Sequence, residues 1–229
     1  MSINIKGEND NQEKIILKFL VLGDSRIGKT SILERYVNKS FQENYIVTIG
    51  MDVRIKKLKI NNIYFDIYIT DTAGEERFRS ISTMSYKSAD GILIGFAVNE
   101  PKTFESVNYW VKQIHENKGK VSNVSLVLFG NKCDDVDHIL VKEEQINQIK
   151  STHGLEYFQT SAKQNIGVQE LFEFLVKQTI IKKGLLKDIG LNENSTINDI
   201  NITERDSEEV KNELINKKKK KKNKKKSCC

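Results

Sequence analysis

The sequence predicts an α/β fold in which a mostly parallel sheet of six strands is flanked by helices on both faces. Three observations carry this expectation. Apolar runs of strand length alternate with amphipathic segments of helix length, as in parallel sheets covered on both sides. A glycine loop, Gly23-Asp24-Ser25-Arg26-Ile27-Gly28-Lys29-Thr30, separates the first apolar run from the first helical segment. That loop fits the phosphate-loop pattern G-x-x-x-x-G-K-[ST] at every fixed position, with strand, loop and helix in the required order. At 229 residues and 38% hydrophobic content, the chain can bury one substantial core.

Taken in order, a polar N-terminal extension (1–13) is expected to be mobile. Lys14 to Leu22 then reads as a buried strand, and Thr30 to Val37 opens a helix. Phe41 to Gly50 has no clean period. Asp52 to Ile60 and Tyr64 to Thr70 read as an antiparallel hairpin turned by Asn61-Asn62. A polar, helix-like stretch follows to Ala89, and Gly91 to Val98 is a buried strand. Pro101 suits the first turn of a helix carrying Phe104, Val107, Trp110, Val111 and Ile114 on one side. Ser125 to Gly130 is a strand, Val141 to Ser151 a helix, Glu156 to Thr160 a strand, and Val168 to Ile181 a last amphipathic helix. No internal repeat is visible.

Four stretches carry chemistry. In the glycine loop, successive backbone N–H groups and the helix N-terminus converge on an anion, Lys29 can reach terminal phosphates, and the Thr30 hydroxyl can ligate Mg²⁺. Asp71-Thr72-Ala73-Gly74 ends a strand; its carboxylate can hold a Mg²⁺-bound water and its glycine amide can meet a γ-phosphate. Taken alone it also fits a plain Asp-Gly turn. Asn131-Lys132-Cys133-Asp134 follows an apolar strand, and the Asp134 carboxylate can accept from both N1–H and the 2-amino group of guanine. Alone, that stretch is also an ordinary polar loop. Ser161-Ala162-Lys163 after the final strand adds weight only in company. All four fall at the carboxyl ends of strands, the edge along which open α/β sheets bind ligands.

These residues resemble the Ras superfamily of small GTPases, and most closely its Rab branch, over about Lys14 to Lys182. Thr48-Ile49-Gly50-Met51-Asp52 resembles the Rab switch I signature, Asp71 to Arg79 resembles switch II, and Cys228-Cys229 resembles the Rab double-cysteine terminus. The resemblance implies a G domain that hydrolyses GTP to GDP and phosphate with Mg²⁺. It implies nucleotide contacts from Asp24, Ser25, Arg26, Ile27, Gly28, Lys29, Thr30 and Ser31, and Mg²⁺ held by Thr30, Thr48 and Asp71. Phe41 would pack edge-on against guanine, Tyr45 would lie over the phosphates, and Asn131, Lys132, Asp134, Ser161, Ala162 and Lys163 would form the base pocket. Lys29, Gly74 and Glu75 would act on the transferred phosphoryl group. Exchange factors, GTPase-activating proteins, a dissociation inhibitor or escort protein, and effectors would be its partners, with the chain a monomer.

Two departures stand out. Where the family usually has Gln after Asp-Thr-Ala-Gly, this chain has Glu75. A carboxylate only accepts hydrogen bonds and sits badly beside an anionic γ-phosphate, so slow intrinsic hydrolysis is expected. A hydrolytically silent, GTP-loaded scaffold is the alternative. The Rab branch also usually carries three aromatic residues at effector-facing positions that here hold Val53, Thr70 and Ser85.

Composition locates the remaining signals. Removing the nine lysines of 217–222 and 224–226 from the formal charge of +6 leaves −3, so the basicity belongs to the tail and the body offers no nucleic-acid surface. Three cysteines, Cys133, Cys228 and Cys229, make no disulfide framework, which suits a reducing compartment. Residues 183–229 read as a solvated tether with a short helix near Ser207 to Ile215. A lysine run can be a nuclear signal; before two cysteines that resemble a prenylation site it favours the cytoplasmic face of an intracellular or plasma membrane, with a cytosolic pool. Each lysine near an anionic leaflet adds about 1 kcal/mol, and two lipids with a basic patch anchor stably. His115, His138 and His153 lack metal-ligand spacing and read as surface side chains, and Trp110 reads as a core anchor.

Overall fold

The computed structural model describes residues 14–42, 51–72, 83–118 and 123–204. The N-terminal extension, both segments that resemble switches, the 207–215 helix and the lysine and cysteine tail fall wholly or largely outside these residues. The elements are β1 (Lys14–Leu22), α1 (Lys29–Asn38), β2 (Met51–Ile60), β3 (Ile63–Thr72), α2 (Thr83–Ser88), β4 (Gly91–Ala97), α3 (Pro101–Glu105), α4 (Val107–Lys118), β5 (Ser125–Asn131), α5 (Glu143–His153), β6 (Glu156–Gln159), α6 (Val168–Lys182) and β7 (Ile202–Glu204).

One sheet runs in the order β6-β5-β4-β1-β3-β2-β7. The pairs from β6 to β3 are parallel, whereas β2 is antiparallel to both β3 and β7. Side chains alternate across the pleat, so β1 sends Leu17, Phe19 and Val21 into one core and Leu20 and Leu22 into the other. The first core is closed by α1 and α6, through Ile32, Leu33, Phe172 and Leu175, and the second by α2, α4 and α5, through Tyr86, Trp110, Ile114 and Ile146. The β2–β3 turn has both asparagines at positive φ, 45° for Asn61 and 72° for Asn62. This matches the primed turn that suits right-twisted strands.

Three expectations are corrected. The helix predicted from Pro101 is divided at Ser106, whose hydroxyl donates to the Lys102 carbonyl (3.3 Å). The helix predicted from Val141 starts at Glu143, because the Lys142 amide donates to the Gln145 side chain (3.0 Å) and so caps the first turn. The largest correction concerns the stretch read as a solvated tether, and with it the six-strand count. From 184 to 204 the chain packs: Leu185, Leu186, Ile189 and Ile200 are buried in the first core, and β7 makes a seventh strand against Leu58 to Ile60.

The strap closes on a mixed set of contacts. The Asn201 amide donates to Asn61 Oδ1 (2.9 Å), and the Asn61 amide donates to the Asn201 carbonyl (3.2 Å). Buried Lys56 donates to Glu204 Oε1 (3.0 Å) and to the Tyr36 carbonyl (3.2 Å), and Lys39 lies 2.9 Å from the other Glu204 oxygen. Partial burial pushes the Glu204 carboxyl up, but its hydrogen bonds and the charges of Lys39 and Lys56 outweigh that and hold it below its ordinary value. Replacing Ile200 by Ala should lower unfolding stability by roughly 2–5 kcal/mol, measured by urea titration. An unchanged midpoint would mean that the strap adds nothing to the core.

Candidate functional site

Three of the four stretches predicted to act together, with Asp71 and Thr72 of the fourth, meet at the carboxyl end of the parallel strands. The loop after β1 has Gly23, Arg26 and Gly28 at positive φ (138°, 63° and 93°). Two of these are glycines for a steric reason. A Cβ on Gly23 would lie 2.4 Å from the Gly95 carbonyl oxygen, and one on Gly28 would lie 2.4 Å from Asn131 Nδ2. Arg26 adopts the left-handed region without that excuse, a conformation that costs about 1 kcal/mol or more. Ile27 is buried in the first core, Arg26 is exposed, and Asp24, Ser25 and Ser31 are half-buried.

Lys29 opens α1 and is only 5% exposed. Its Nζ donates to the carbonyls of Gly23 (2.9 Å) and Asp24 (2.8 Å), two of an ammonium's three donors. Burial lowers its pKa to about 8, against the pull of the Asp71 and Asp24 carboxylates. Beside it, the Thr30 hydroxyl donates to Asp71 Oδ2 (2.6 Å). Asp71 is 1% exposed and its Oδ1 is buried without a partner. Burial raises its carboxyl above the usual range, opposed by the Thr30 hydrogen bond and the Lys29 charge. A buried, unsatisfied carboxylate oxygen beside a hydroxyl is a hard-oxygen pair that fits Mg²⁺ better than a soft metal. Among the described residues no cluster of three His, Cys, Asp or Glu could hold a metal by itself.

Asn131 ends β5 and is 2% exposed. Its Nδ2 donates to the Ile27 carbonyl (2.8 Å), and its Oδ1 accepts from the Ala162 amide (3.2 Å). Asp134 Oδ1 accepts from the Ser161 hydroxyl (2.6 Å), and that hydroxyl accepts from the Gln164 amide (2.9 Å). Lys132 takes a positive φ of 69°, and the Cys133 amide donates to the Thr160 carbonyl (3.1 Å). Burial and the Asp134 charge raise the Cys133 thiol above its ordinary value. The two loops therefore present the Asp134 carboxylate already oriented.

Two supporting residues were not singled out as site residues in the sequence. Arg35, in the last turn of α1, donates from Nε to the Ala162 carbonyl (2.9 Å) and from a terminal nitrogen to the Lys163 carbonyl (3.1 Å). Its guanidinium lies 5.8 Å from the centre of the Phe41 ring, so it places Phe41 by the same loop. Trp110 is buried as expected, but its indole N–H also donates to Asp24 Oδ1 (3.0 Å). No local pattern signals either contact, because each joins residues about 90 or more apart in sequence. His138 faces Asp135 (2.6 Å) and His153 faces Asn108 (2.9 Å), neither in a metal cluster. Tyr45, Thr48, Gly74, Glu75, Cys228 and Cys229 lie outside the described residues.

Replacing Asn131 by Ala should strand the Ile27 carbonyl and the Ala162 amide together, costing roughly 1–3 kcal/mol for each buried group left unpaired. Thermal unfolding of Asn131→Ala beside the parent chain checks this. Equal midpoints would show that the carboxamide is not a brace.

Comparison with known proteins gives the family. A sequence profile described as the Ras family matches residues 18–181. The Ras-related protein Rab-13 of Bos taurus is 37% identical over 169 residues, covering 74% of this chain and 82% of its own length. Rab-13 of Canis lupus familiaris matches at 37% with the same coverage. Rab-10 of Diplobatis ommata is 36% identical over 168 residues, covering 73% of this chain and 83% of its own length. With the phosphate loop, the Thr30–Asp71 pair and the Asn131–Asp134 loop assembled on one sheet edge, the chain belongs to the Ras family, as a Rab-type small GTPase: a GTP-hydrolysing, GTP-binding switch of vesicle traffic.

Proposed function

We propose that this GTPase is a membrane-anchored switch whose GTP-bound state outlives the family norm. The observation that carries the nucleotide site is the pairing of Thr30 with Asp71 beside buried Lys29, with one Asp71 oxygen left to accept a ligand. The amides of Asp24, Ser25, Arg26, Ile27, Gly28 and Ser31 cradle the phosphates, and Lys29 neutralises charge on the outer two. Thr30, Asp71 and Thr48 hold Mg²⁺, which when bound offsets the charge of the transferred group. Asp134 accepts from the guanine N1–H and 2-amino group; Asn131, Lys132, Ser161, Ala162 and Lys163 complete the pocket, Phe41 packs on the base edge and Tyr45 covers the phosphates.

The γ-phosphate holds one switch through Thr48 and the other through Gly74, and its loss releases both. Glu75 takes the sequence position at which the family usually has the Gln that orients the attacking water. Its carboxylate cannot donate to the phosphoryl oxygens and repels them, so the timer runs slowly unless a partner supplies the missing groups. Two prenyl groups on Cys228 and Cys229, with the lysine run, hold the chain at the cytoplasmic face of a membrane. Among the described residues no helix is long and apolar enough to cross a membrane. Exchange factors, activating proteins, a dissociation inhibitor or escort, and effectors set its cycle. The same carboxylate supports a second reading, a hydrolysis-deficient scaffold that stays loaded and recruits effectors.

Single-turnover hydrolysis of Mg²⁺-GTP separates these readings. The parent chain should be at least tenfold slower than Glu75→Gln; equal rates, or a faster parent, would remove the long-lived state and leave an ordinary timed switch. Base recognition is checked by Asp134→Asn. Competition binding should show preference moving from guanine to xanthine nucleotides, and unchanged GTP selectivity would refute the role given to Asp134.

A further inference from the structure

Trp110 stands in the first turn of α4 and is the largest fully buried side chain among the described residues. Its ring packs in the second core, with the Tyr109 ring edge-on at 5.2 Å. Packing would account for a phenylalanine or a leucine equally well. It does not account for the indole nitrogen, whose N–H points out of that core and donates to Asp24 Oδ1 (3.0 Å) in the glycine loop, 86 residues away.

The backbone around Asp24 is already fixed. Its carbonyl accepts from Lys29 Nζ (2.8 Å), and Gly23 before it lies so close to β4 that a Cβ there would meet the Gly95 carbonyl oxygen at 2.4 Å. The torsion of the Asp24 side chain is what remains, and the indole N–H sets it. The kind of donor matters. An indole is neutral and donates only, so it satisfies the carboxylate without bringing a cation. The competing donor is Lys29: the Asp24 charge already acts on its ammonium, which spends two of its three N–H groups on the Gly23 and Asp24 carbonyls.

We propose that Trp110 is a positioning residue for nucleotide retention, its N–H holding the Asp24 carboxylate away from the third N–H of Lys29 and so keeping that donor for a phosphate. This rests on the reading above that Lys29 meets the phosphates. Released from the indole, the carboxylate would compete with phosphate for Lys29 and would also present a like charge to it. Both changes loosen the nucleotide. Because they act through Lys29 rather than through the attacking water, they appear in the release of GDP and not only in hydrolysis.

The chain has one tryptophan, so a tryptophan auxotroph can introduce Trp110→benzothienylalanine, which keeps the indole's shape with sulfur in place of the N–H. Release of a fluorescent GDP analogue from the Mg²⁺-loaded, full-length chain is timed after mixing with excess GDP. The replacement should speed release about tenfold, the scale of a lost hydrogen bond to a charged group. In an Asp24→Ala chain the same replacement should change the rate by less than about twofold, since the group it restrains is gone. A ¹⁵N-labelled indole gives one signal, whose proton should move upfield from the parent chain to Asp24→Ala as the charge-assisted bond is lost. That signal needs no change at Trp110, so it decides the matter even if the benzothienylalanine chain does not fold. An unchanged release rate, an equal acceleration with and without Asp24, or an indole signal indifferent to Asp24 would overturn the proposal. Lys29→Met tells this failure from failure of the site: if it retains GDP as the parent does, the phosphate reading falls and takes the proposal with it, whereas a Lys29-dependent site that ignores the loss of the N–H overturns the proposal alone.

Discussion

The buried carboxamide of Asn131 donates to the Ile27 carbonyl and accepts from the Ala162 amide, so three loops that are far apart in sequence share one side chain. The close approach this requires explains why residue 28 has no Cβ, since one would overlap the Asn131 nitrogen. Inside a low-dielectric interior such a bond is strong when made and costly when lost. The glycine loop, the Asn131–Asp134 loop and the Ser161–Lys163 loop are therefore positioned as one body, with the Asp134 carboxylate held by Ser161 and the 162–163 backbone held by Arg35.

A second cluster, Lys29, Thr30 and Asp71, works by the opposite principle, since it is left incompletely satisfied. Burial drives the Lys29 ammonium down and the Asp71 carboxyl up, which means that both charges are disfavoured where they stand. A ligand that brings negative charge to Lys29 and a cation to Asp71 would favour both charged forms. Mg²⁺ with a nucleotide phosphate has that composition, and the strain stored in the loop at Arg26 is of the kind found where a backbone is shaped for a ligand.

The strap from 184 to 204 changes where the tail begins. Its apolar residues are sparse, and in sequence they look too few to hold a segment rich in Asn, Asp and Lys against water. They suffice because they join a core already built by α6 and β2, and because β7 pairs with the Leu58 to Ile60 end of β2. Buried Lys56 is tolerated for the same reason, since Glu204 and the Tyr36 carbonyl meet its charge.

Much was legible in the linear chain. The strand, glycine loop and helix order, the Asn-Asn turn, the period of α6 and the four strand-end motifs are local patterns, because backbone φ, hydrophobic periodicity and short spacings are properties of neighbouring residues. The G-domain fold and the membership of the chain in its family follow from these, as do the residue types that a phosphate, a divalent ion and guanine demand. What only the tertiary structure decided are contacts between distant residues: Trp110 with Asp24, Arg35 with the 162–163 backbone, Lys56 with Glu204, and the burial of Ile200. A side chain's periodicity shows which face of its own element it occupies. Which partner lies opposite that face is set by how the elements pack, and no spacing along the chain encodes it.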